Sequence, residues 1–164
     1  MQMEKPKLDI EKPAVAKAFD VLVIALFAAA LVYLVLQWGQ LPDRIPTHFG
    51  PDGEADRYGS RMELLLLPFI AAVMWAGMTA LEKYPHMYNY LNLRPDTMEI
   101  QYRYGVLFMN VVKNLSVLLF IFLIWQTVDI GLMRTDSLNT PIFITILALL
   151  FGSMGYYVYR VMKL

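Results

Sequence analysis

The sequence predicts an all-α integral membrane protein with four transmembrane helices and with both termini in the cytoplasm. Hydrophobic residues make up 58% and charged residues 17% of the chain, against about 45–50% and about 25% in soluble domains. Four apolar runs are long enough to cross about 30 Å of hydrocarbon. Lysine and arginine concentrate on one side of these runs, which the positive-inside rule assigns to the cytoplasm.

Composition also excludes several classes of function. The formal net charge is zero, so no bulk electrostatic attraction to nucleic acid is expected. The absence of cysteine excludes disulfides, thiol catalysis and Cys-ligated zinc. The two histidines fall on opposite sides of the predicted topology, so neither a multi-His metal site nor any cofactor is predicted.

The first apolar run, Val21–Trp38, is predicted to be a retained transmembrane helix. A signal peptide has a shorter apolar core, and here further spans follow. Gly39 and Pro42 suit a helix stop. Residues 1–17 are polar and form a cytoplasmic N-terminal segment, and 18–164 form the four-helix transmembrane domain.

The second helix is predicted over Met62–Leu81. Ser60 and Glu63 have capping-box spacing at its start. Pro68 lies inside the apolar run and predicts a kink, because it removes one backbone hydrogen bond. Three alanines spaced every four residues would let another helix approach closely, so an oligomer is one open prediction. They are Ala72, Ala76 and Ala80.

A tyrosine-rich cytoplasmic loop, residues 83–104, follows the second helix, and its last residues already belong to the third helical pattern. The third helical pattern runs from Thr97 to Thr127, about 46 Å at 1.5 Å per residue, so its first turns project beyond the bilayer. The fourth covers Ile142–Met162, after a cap at Thr140 and Pro141.

Orientation follows from the basic residues that flank the spans. The side predicted to be cytoplasmic carries Lys5, Lys7, Lys12, Lys17, Lys83, Arg94, Arg103, Arg160 and Lys163. The opposite side carries Arg44, Arg57, Arg61 and Arg134. The loop between the first two helices, residues 39–61, is therefore predicted to be extracellular.

This extracellular loop has the chemistry of an ordered segment. Pro42 and Pro46 favour an extended entry. Gly50 to Gly53, with Pro51 second, has the residues of a type I turn. The loop is therefore predicted to be a compact surface.

The same loop carries a motif that resembles a known family. Leu41-Pro42, Ile45 to Phe49 (IPTHF), Gly53-Glu54, Asp56 and Tyr58 to Arg61 match the pattern LPxxIPTHFxxxGExDxYGSR/K between two transmembrane helices. That pattern is similar to the motif of a prokaryotic membrane family of unknown function that includes the sporulation-delay toxin immunity protein. The resemblance implies a multi-pass protein of the prokaryotic plasma membrane, with an immunity-like or signalling role.

The predicted function is binding of another membrane protein or an extracellular peptide through this loop, in addition to the lipid bilayer. No nucleophile elbow, phosphate loop or HExxH motif occurs, which favours a non-enzymatic function. The alternatives are an accessory subunit of a membrane complex and a metal-dependent enzyme or small transporter. The predicted binding residues are Pro42, Asp43, Arg44, Pro46, His48, Asp52, Glu54, Asp56, Arg57, Tyr58 and Arg61.

His48 has three possible roles at the sequence level. The favoured one is structural, with His48 bonded to a loop carbonyl or paired with Asp43 or Asp56. The second is contact with a ligand or partner. The third and weakest is a metal site with Asp52 and Asp56, whose spacing departs from that of a calcium loop.

A second candidate site lies inside the third helix, where Asn110, Lys113 and Asn114 share one face. A charge at that depth is expensive and is usually turned inward. One interpretation is a polar pocket open to the cytoplasm, with Asp20 and Glu82 as possible partners of Lys113. The favoured interpretation is that Lys113 snorkels to the inner headgroups while the asparagines bond neighbouring helices.

Overall fold

The computed structural model describes residues 4–164, and this part of the chain is mostly helical. Within it, four helices are long and apolar enough to cross a membrane. These candidate spans are Ala14–Gln40, Arg61–Leu81, Met98–Gly131 and Thr140–Met162. Their α-helical parts are α1 (Ala14–Gln37), α2 (Leu66–Leu81), α3 (Met98–Gly131) and α4 (Thr140–Met162). The predicted four-helix architecture is therefore confirmed, and the cytoplasmic placement of the termini stays a prediction.

Helix α3 is the centre of the bundle, and α1, α2 and α4 each pack along it. It carries most of the buried helical residues, including Tyr102, Lys113 and Ile124, none of which exposes any surface. In contrast, α4 buries Val161 alone among the residues described. Because α3 contacts all three neighbours, its polar residues are the ones that the bundle must satisfy internally.

The loop between α1 and α2 folds as a β-hairpin, which the all-α prediction did not include. Strand β1 (Arg44–Phe49) pairs antiparallel with β2 (Ala55–Ser60). The predicted turn closes it, with Gly53 N donating to Gly50 O at 2.9 Å and Gly53 at φ +85°. Sequence periodicity does not reveal these strands because β1 contains a proline and its pairing with β2 is irregular around His48.

Helix α2 begins differently from the prediction. Its first turn is a 3₁₀ segment, Arg61–Leu65, capped by Ser60, whose Oγ accepts from Met62 N at 3.2 Å. Glu63 returns the contact by accepting from Ser60 N at 2.9 Å, so the capping box is confirmed. The α-helical part starts only at Leu66, so Pro68 lies in its first turn, where its missing N–H is tolerated. Because α2 starts two residues earlier, Pro68 interrupts no preceding α-helical turn, and the basis for the predicted kink is removed.

The hairpin is anchored in the hydrophobic core of the bundle. Leu41 and Ile45, at its base, are 3% and 1% exposed. They pack in one cluster with buried residues of α1, of the 3₁₀ segment before α2 and of α3, namely Leu34, Leu64, Ile124 and Val128. A Cβ added at Gly131 would lie 3.2 Å from Leu41 Cδ2, so the missing side chain on α3 lets the hairpin approach closely. The hairpin and the bundle thus form one packed unit.

Candidate functional site

The tip of the hairpin is fixed against the connection between α3 and α4. Leu138 N donates to Gly53 O at 2.9 Å. A Cβ at Gly53 would lie 2.8 Å from Leu138 O and 2.7 Å from Thr140 Oγ1. Glycine is therefore required at Gly53 for two reasons, its positive φ and the close backbone contact.

His48 and Asp56 form an exposed pair across the hairpin, with 2.6 Å between His48 Nδ1 and Asp56 Oδ1. Asp52 has a separate role, since its Oδ1 accepts from Glu54 N and holds the turn. Between residues 4 and 164 no group of three His, Asp or Glu side chains is arranged to hold a metal ion. The structure thus has the His48–Asp56 pairing that was favoured, without Asp52 beside it.

Arg61 joins the hairpin to the end of α1. Its guanidinium donates to Leu41 O at 3.1 Å, lies 3.4 Å from Asp43 and sits over the Trp38 ring. Arg44 instead donates to the Tyr58 carbonyl at 3.1 Å. Backbone carbonyls therefore accept hydrogen bonds from both of these arginines.

Most of the predicted binding residues lie on the outer surface of the hairpin. Pro46 is buried and Arg61 half-buried. The exposed ones are Pro42, Asp43, Arg44, His48, Asp52, Glu54, Asp56, Arg57 and Tyr58. The motif residues therefore divide into those that anchor the hairpin and those that present a polar surface.

A groove of about 590 Å³ lies between the hairpin and the helices α2, α3 and α4. Its polar lining residues include His48 and Arg57. Its walls are mainly apolar and include Ile45, Phe49, Leu67, Ile70, Phe143 and Ile144. Its size falls within the range of about 300–1,000 Å³ typical of ligand pockets.

The second candidate site is at the opposite end of the bundle, where α1 begins and α4 ends. Lys113 is fully buried, with its Nζ 2.7 Å from Glu82 Oε1 and 3.0 Å from Asp20 Oδ1. It also donates to Thr79 Oγ1 at 3.1 Å and lies over the Trp75 ring. The favoured prediction of a snorkelling Lys113 was therefore wrong: two carboxylates reach it inside the bundle and neutralise it there.

The same two carboxylates also hold Lys12, which precedes α1. Lys12 Nζ lies 2.6 Å from Asp20 Oδ2 and forms a short ion pair with Glu82 Oε2. Burial disfavours the charged form of Lys12, but the hydrogen bonds to Asp20 and Glu82 outweigh it and raise the pKa of Lys12 above its usual range. Lys12, Asp20, Glu82 and Lys113 are called the charge cluster below.

The two asparagines complete the shell of the charge cluster. Asn110 donates to Asp20 Oδ1 at 2.8 Å and to Glu82 Oε1 at 3.2 Å. Asn114 donates to the same Asp20 oxygen at 2.7 Å. The three predicted residues of α3 are thus brought together on Asp20 and Glu82, which the sequence had suggested as partners. Lys12 and Thr79 were missed, because neither helical spacing nor a motif connects them to that face.

The residues before α1 lie across this end of the bundle. Lys5 donates to Tyr88 O at 2.7 Å, and Tyr102 donates to Pro6 O at 3.4 Å. A cavity of about 350 Å³ opens beside this segment, lined by Lys12, Thr79 and Glu82 among others. The charge cluster therefore has one wall that consists of extended chain and not of helix.

These features define a class: a mostly helical protein with four candidate membrane spans and a hairpin inserted between the first two. Residues 25–72 match the family described as Domain of unknown function (DUF1648). The matched region covers most of α1, the whole hairpin and the start of α2. It is the region whose motif indicated a prokaryotic membrane family.

One curated relative is an uncharacterized protein of Archaeoglobus fulgidus, 40% identical over 82 residues. The alignment covers 42% of this chain and 45% of that relative, so this chain spans less than half of the relative's length. No solved structure matches the chain. The comparisons agree with a multi-helix membrane protein and assign no activity to it.

Proposed function

We propose that this protein binds an amphipathic peptide, or the equivalent segment of another membrane protein, at the outer face of its hairpin. The hairpin face is extracellular in this proposal, in accordance with the distribution of lysine and arginine. The groove beneath the hairpin receives the apolar side of the peptide. The role is immunity-like or signalling, and no chemical step is required of the protein.

The observation that carries the proposal is the groove of about 590 Å³ at the place where the motif residues meet the bundle. Ile70 and Ile144, on its two sides, are 45% and 57% exposed. A groove with mainly apolar walls and a few polar groups suits a ligand that has both apolar and polar side chains. His48 and Arg57 would contact the polar side of such a peptide.

The hairpin offers a second mode of contact through β2. This strand is paired with β1 on one side only, and its residues are mostly exposed. An unpaired strand edge can accept an extended peptide through backbone hydrogen bonds. Because β1 and the turn are anchored to the bundle, β2 would be held in a fixed orientation. The entropic cost of binding a peptide would then be smaller.

A photo-activatable amino acid placed in the groove tests this proposal in native membranes. Ile144 on α4 is the labelled position, and Leu149 on the same helix, 56% exposed and outside the groove, is the matched control. We expect a discrete peptide or protein adduct from Ile144 and lipid adducts alone from Leu149. Mass spectrometry then identifies the captured molecule.

A second set of variants distinguishes binding from chance proximity. Combined His48→Ala and Asp56→Ala substitutions remove the exposed pair without touching the core cluster, so the Ile144 adduct should weaken strongly. If Ile144 yields lipid adducts only, or if its protein adduct persists undiminished in the double variant, the proposed function is wrong. The accessory-subunit hypothesis predicts protein adducts from Leu149 as well.

A further inference from the structure

We propose that the charge cluster is a binding site for a primary ammonium group, and that Lys12 occupies it as a tethered ligand of the chain itself. The site is formed by Asp20 and Glu82. A free amine, or the headgroup of an aminophospholipid, would take the place of Lys12 when the segment before α1 lifts away. This site is at the other end of the bundle from the hairpin and does not depend on the proposed function.

The two carboxylates present two distinct positions for an ammonium group. Lys113 contacts Asp20 Oδ1 and Glu82 Oε1, while Lys12 contacts Asp20 Oδ2 and Glu82 Oε2. Each carboxylate therefore bridges two cations, one on each oxygen. The Lys113 position is closed within the bundle, and the Lys12 position borders the cavity of about 350 Å³.

The charge balance shows why the second position needs a cation. With both lysines in place, two positive charges face two negative ones. Without Lys12, Lys113 alone faces two carboxylates, of which the Glu82 side chain is 3% and the Asp20 side chain 15% exposed. An uncompensated charge at such burial is strongly unfavourable. A replacement cation at the vacated position would therefore bind with a gain in stability.

Lys12 is the lysine that can leave. Its side chain is 19% exposed and it lies before α1 in a segment without secondary structure, whereas Lys113 is 0% exposed and lies within α3. Glu82 Oε2, on the Lys12 side, is buried, and Lys12 is the partner that the structure gives it. When Lys12 leaves, that oxygen is therefore free to accept from the ammonium group of a ligand.

The chemistry of the site selects a primary ammonium among organic cations. Such a group has three N–H donors on a compact head, enough for Asp20 Oδ2, Glu82 Oε2 and one more acceptor. A quaternary ammonium has no N–H and leaves the carboxylate oxygens without donors. Methylammonium and tetramethylammonium are thus a matched pair of probes with equal charge.

The test uses the full chain in detergent and the variant Lys12→Ala. We expect Lys12→Ala to lower the thermal midpoint and methylammonium to restore it with a saturable dependence on concentration. A ligand at 100 times its Kd raises the folded-to-unfolded ratio about 100-fold. Tetramethylammonium at equal concentration should not restore it, nor should methylammonium stabilise the control variant Lys17→Ala, whose lysine is 58% exposed.

Reconstitution in nanodiscs separates the two sources of the ammonium group. If an aminophospholipid supplies it, Lys12→Ala is more stable in phosphatidylethanolamine than in phosphatidylcholine, and methylammonium adds little in the former. If a free amine supplies it, methylammonium stabilises the variant equally in both lipids. Either result supports the site, and stabilisation from neither source overturns it.

Two further measurements keep the test decisive if Lys12→Ala does not fold. Lys12→Gln keeps a side chain of similar length without the charge, and the same titration applies to it. In the unsubstituted protein, methylammonium at high concentration should compete with Lys12 and raise the rate of limited proteolysis within residues 4–13. Equal proteolysis with methylammonium and tetramethylammonium would contradict a displaceable Lys12.

Discussion

The ion pairs at the two ends of this bundle have similar distances but very different burial. At the hairpin, His48 and Asp56 pair at 2.6 Å, yet their side chains are 61% and 53% exposed. At the other end, Lys113 and Glu82 pair at a similar 2.7 Å with 0% and 3% exposure. Distance alone would rank these pairs together, whereas burial separates them. Exposed pairs contribute about 0–1 kcal/mol, while breaking a buried pair costs about 3–5 kcal/mol.

The largest expected effect is therefore at Lys113. Lys113→Met leaves Asp20 and Glu82 with Lys12 as their one remaining lysine partner within the charge cluster. We expect a loss of about 3–5 kcal/mol in the free energy of unfolding, measured by reversible denaturation in detergent. A loss no larger than that of Lys17→Met would show that the buried pairs contribute little.

A compensating substitution sharpens this measurement. The double variant Lys113→Met, Glu82→Gln removes one charge of each sign and restores balance, with Lys12 facing Asp20. Since the penalty arises from an unpaired buried charge, the double variant should be more stable than Lys113→Met alone. Additive losses from the two substitutions would contradict that explanation.

The next effect is steric and lies at the tip of the hairpin. Gly53→Ala places a Cβ 2.8 Å from Leu138 O and imposes φ +85° on a residue with a side chain. We expect a loss of about 1–3 kcal/mol. Gly39→Ala is the matched control, because nothing lies within 4 Å of its added Cβ. Thermal midpoints of the two variants compare them directly, and equal midpoints would contradict a fixed tip.

The sequence predicts the two ends unequally well. Hydrophobic run length identifies the four spans, and the Ser60–Glu63 spacing identifies the start of the second helical segment, because both are local properties. For Lys113 the sequence offers pairing with Asp20 and Glu82 or snorkelling, and it favours snorkelling, which the structure contradicts. Whether Lys113 can reach Asp20 and Glu82 depends on how α1, α2 and α3 pack against one another, which is not a local property of the sequence.

The hairpin and Lys12 mark the limit of local patterns. Strand β1 contains Pro46, and its pairing is irregular around His48, so its alternation is weak. Lys12 lies in an extended segment with no periodicity, and its partners are eight and seventy residues away along the chain. Only the packed bundle brings Lys12 and Glu82 together, so neither composition nor spacing could have assigned Lys12 to the site.

A smaller effect is expected at Ser60, the cap between strand β2 and the helical segment that leads into α2. Ser60→Ala removes the Oγ that accepts from Met62 N and leaves the Glu63 contact in place. The expected loss is about 1 kcal/mol, the usual value for an N-cap serine. Ser153→Ala is a suitable control, because Ser153 lies within α4 and bonds its own helix. A loss equal to that of the control would mean that the hairpin, and not the cap, fixes the start of α2.

The smallest effect should come from His48→Ala, and it tests the comparison from the exposed side. An exposed pair is screened by salt and contributes about 0–1 kcal/mol. The stability of His48→Ala should therefore be close to that of the unsubstituted protein, and any difference should shrink at high ionic strength. A loss as large as that of Lys113→Met would show that the His48–Asp56 pair holds the hairpin on the bundle. His48 would then have a structural role, and Arg57 and the edge of β2 would remain as the proposed contacts with the peptide.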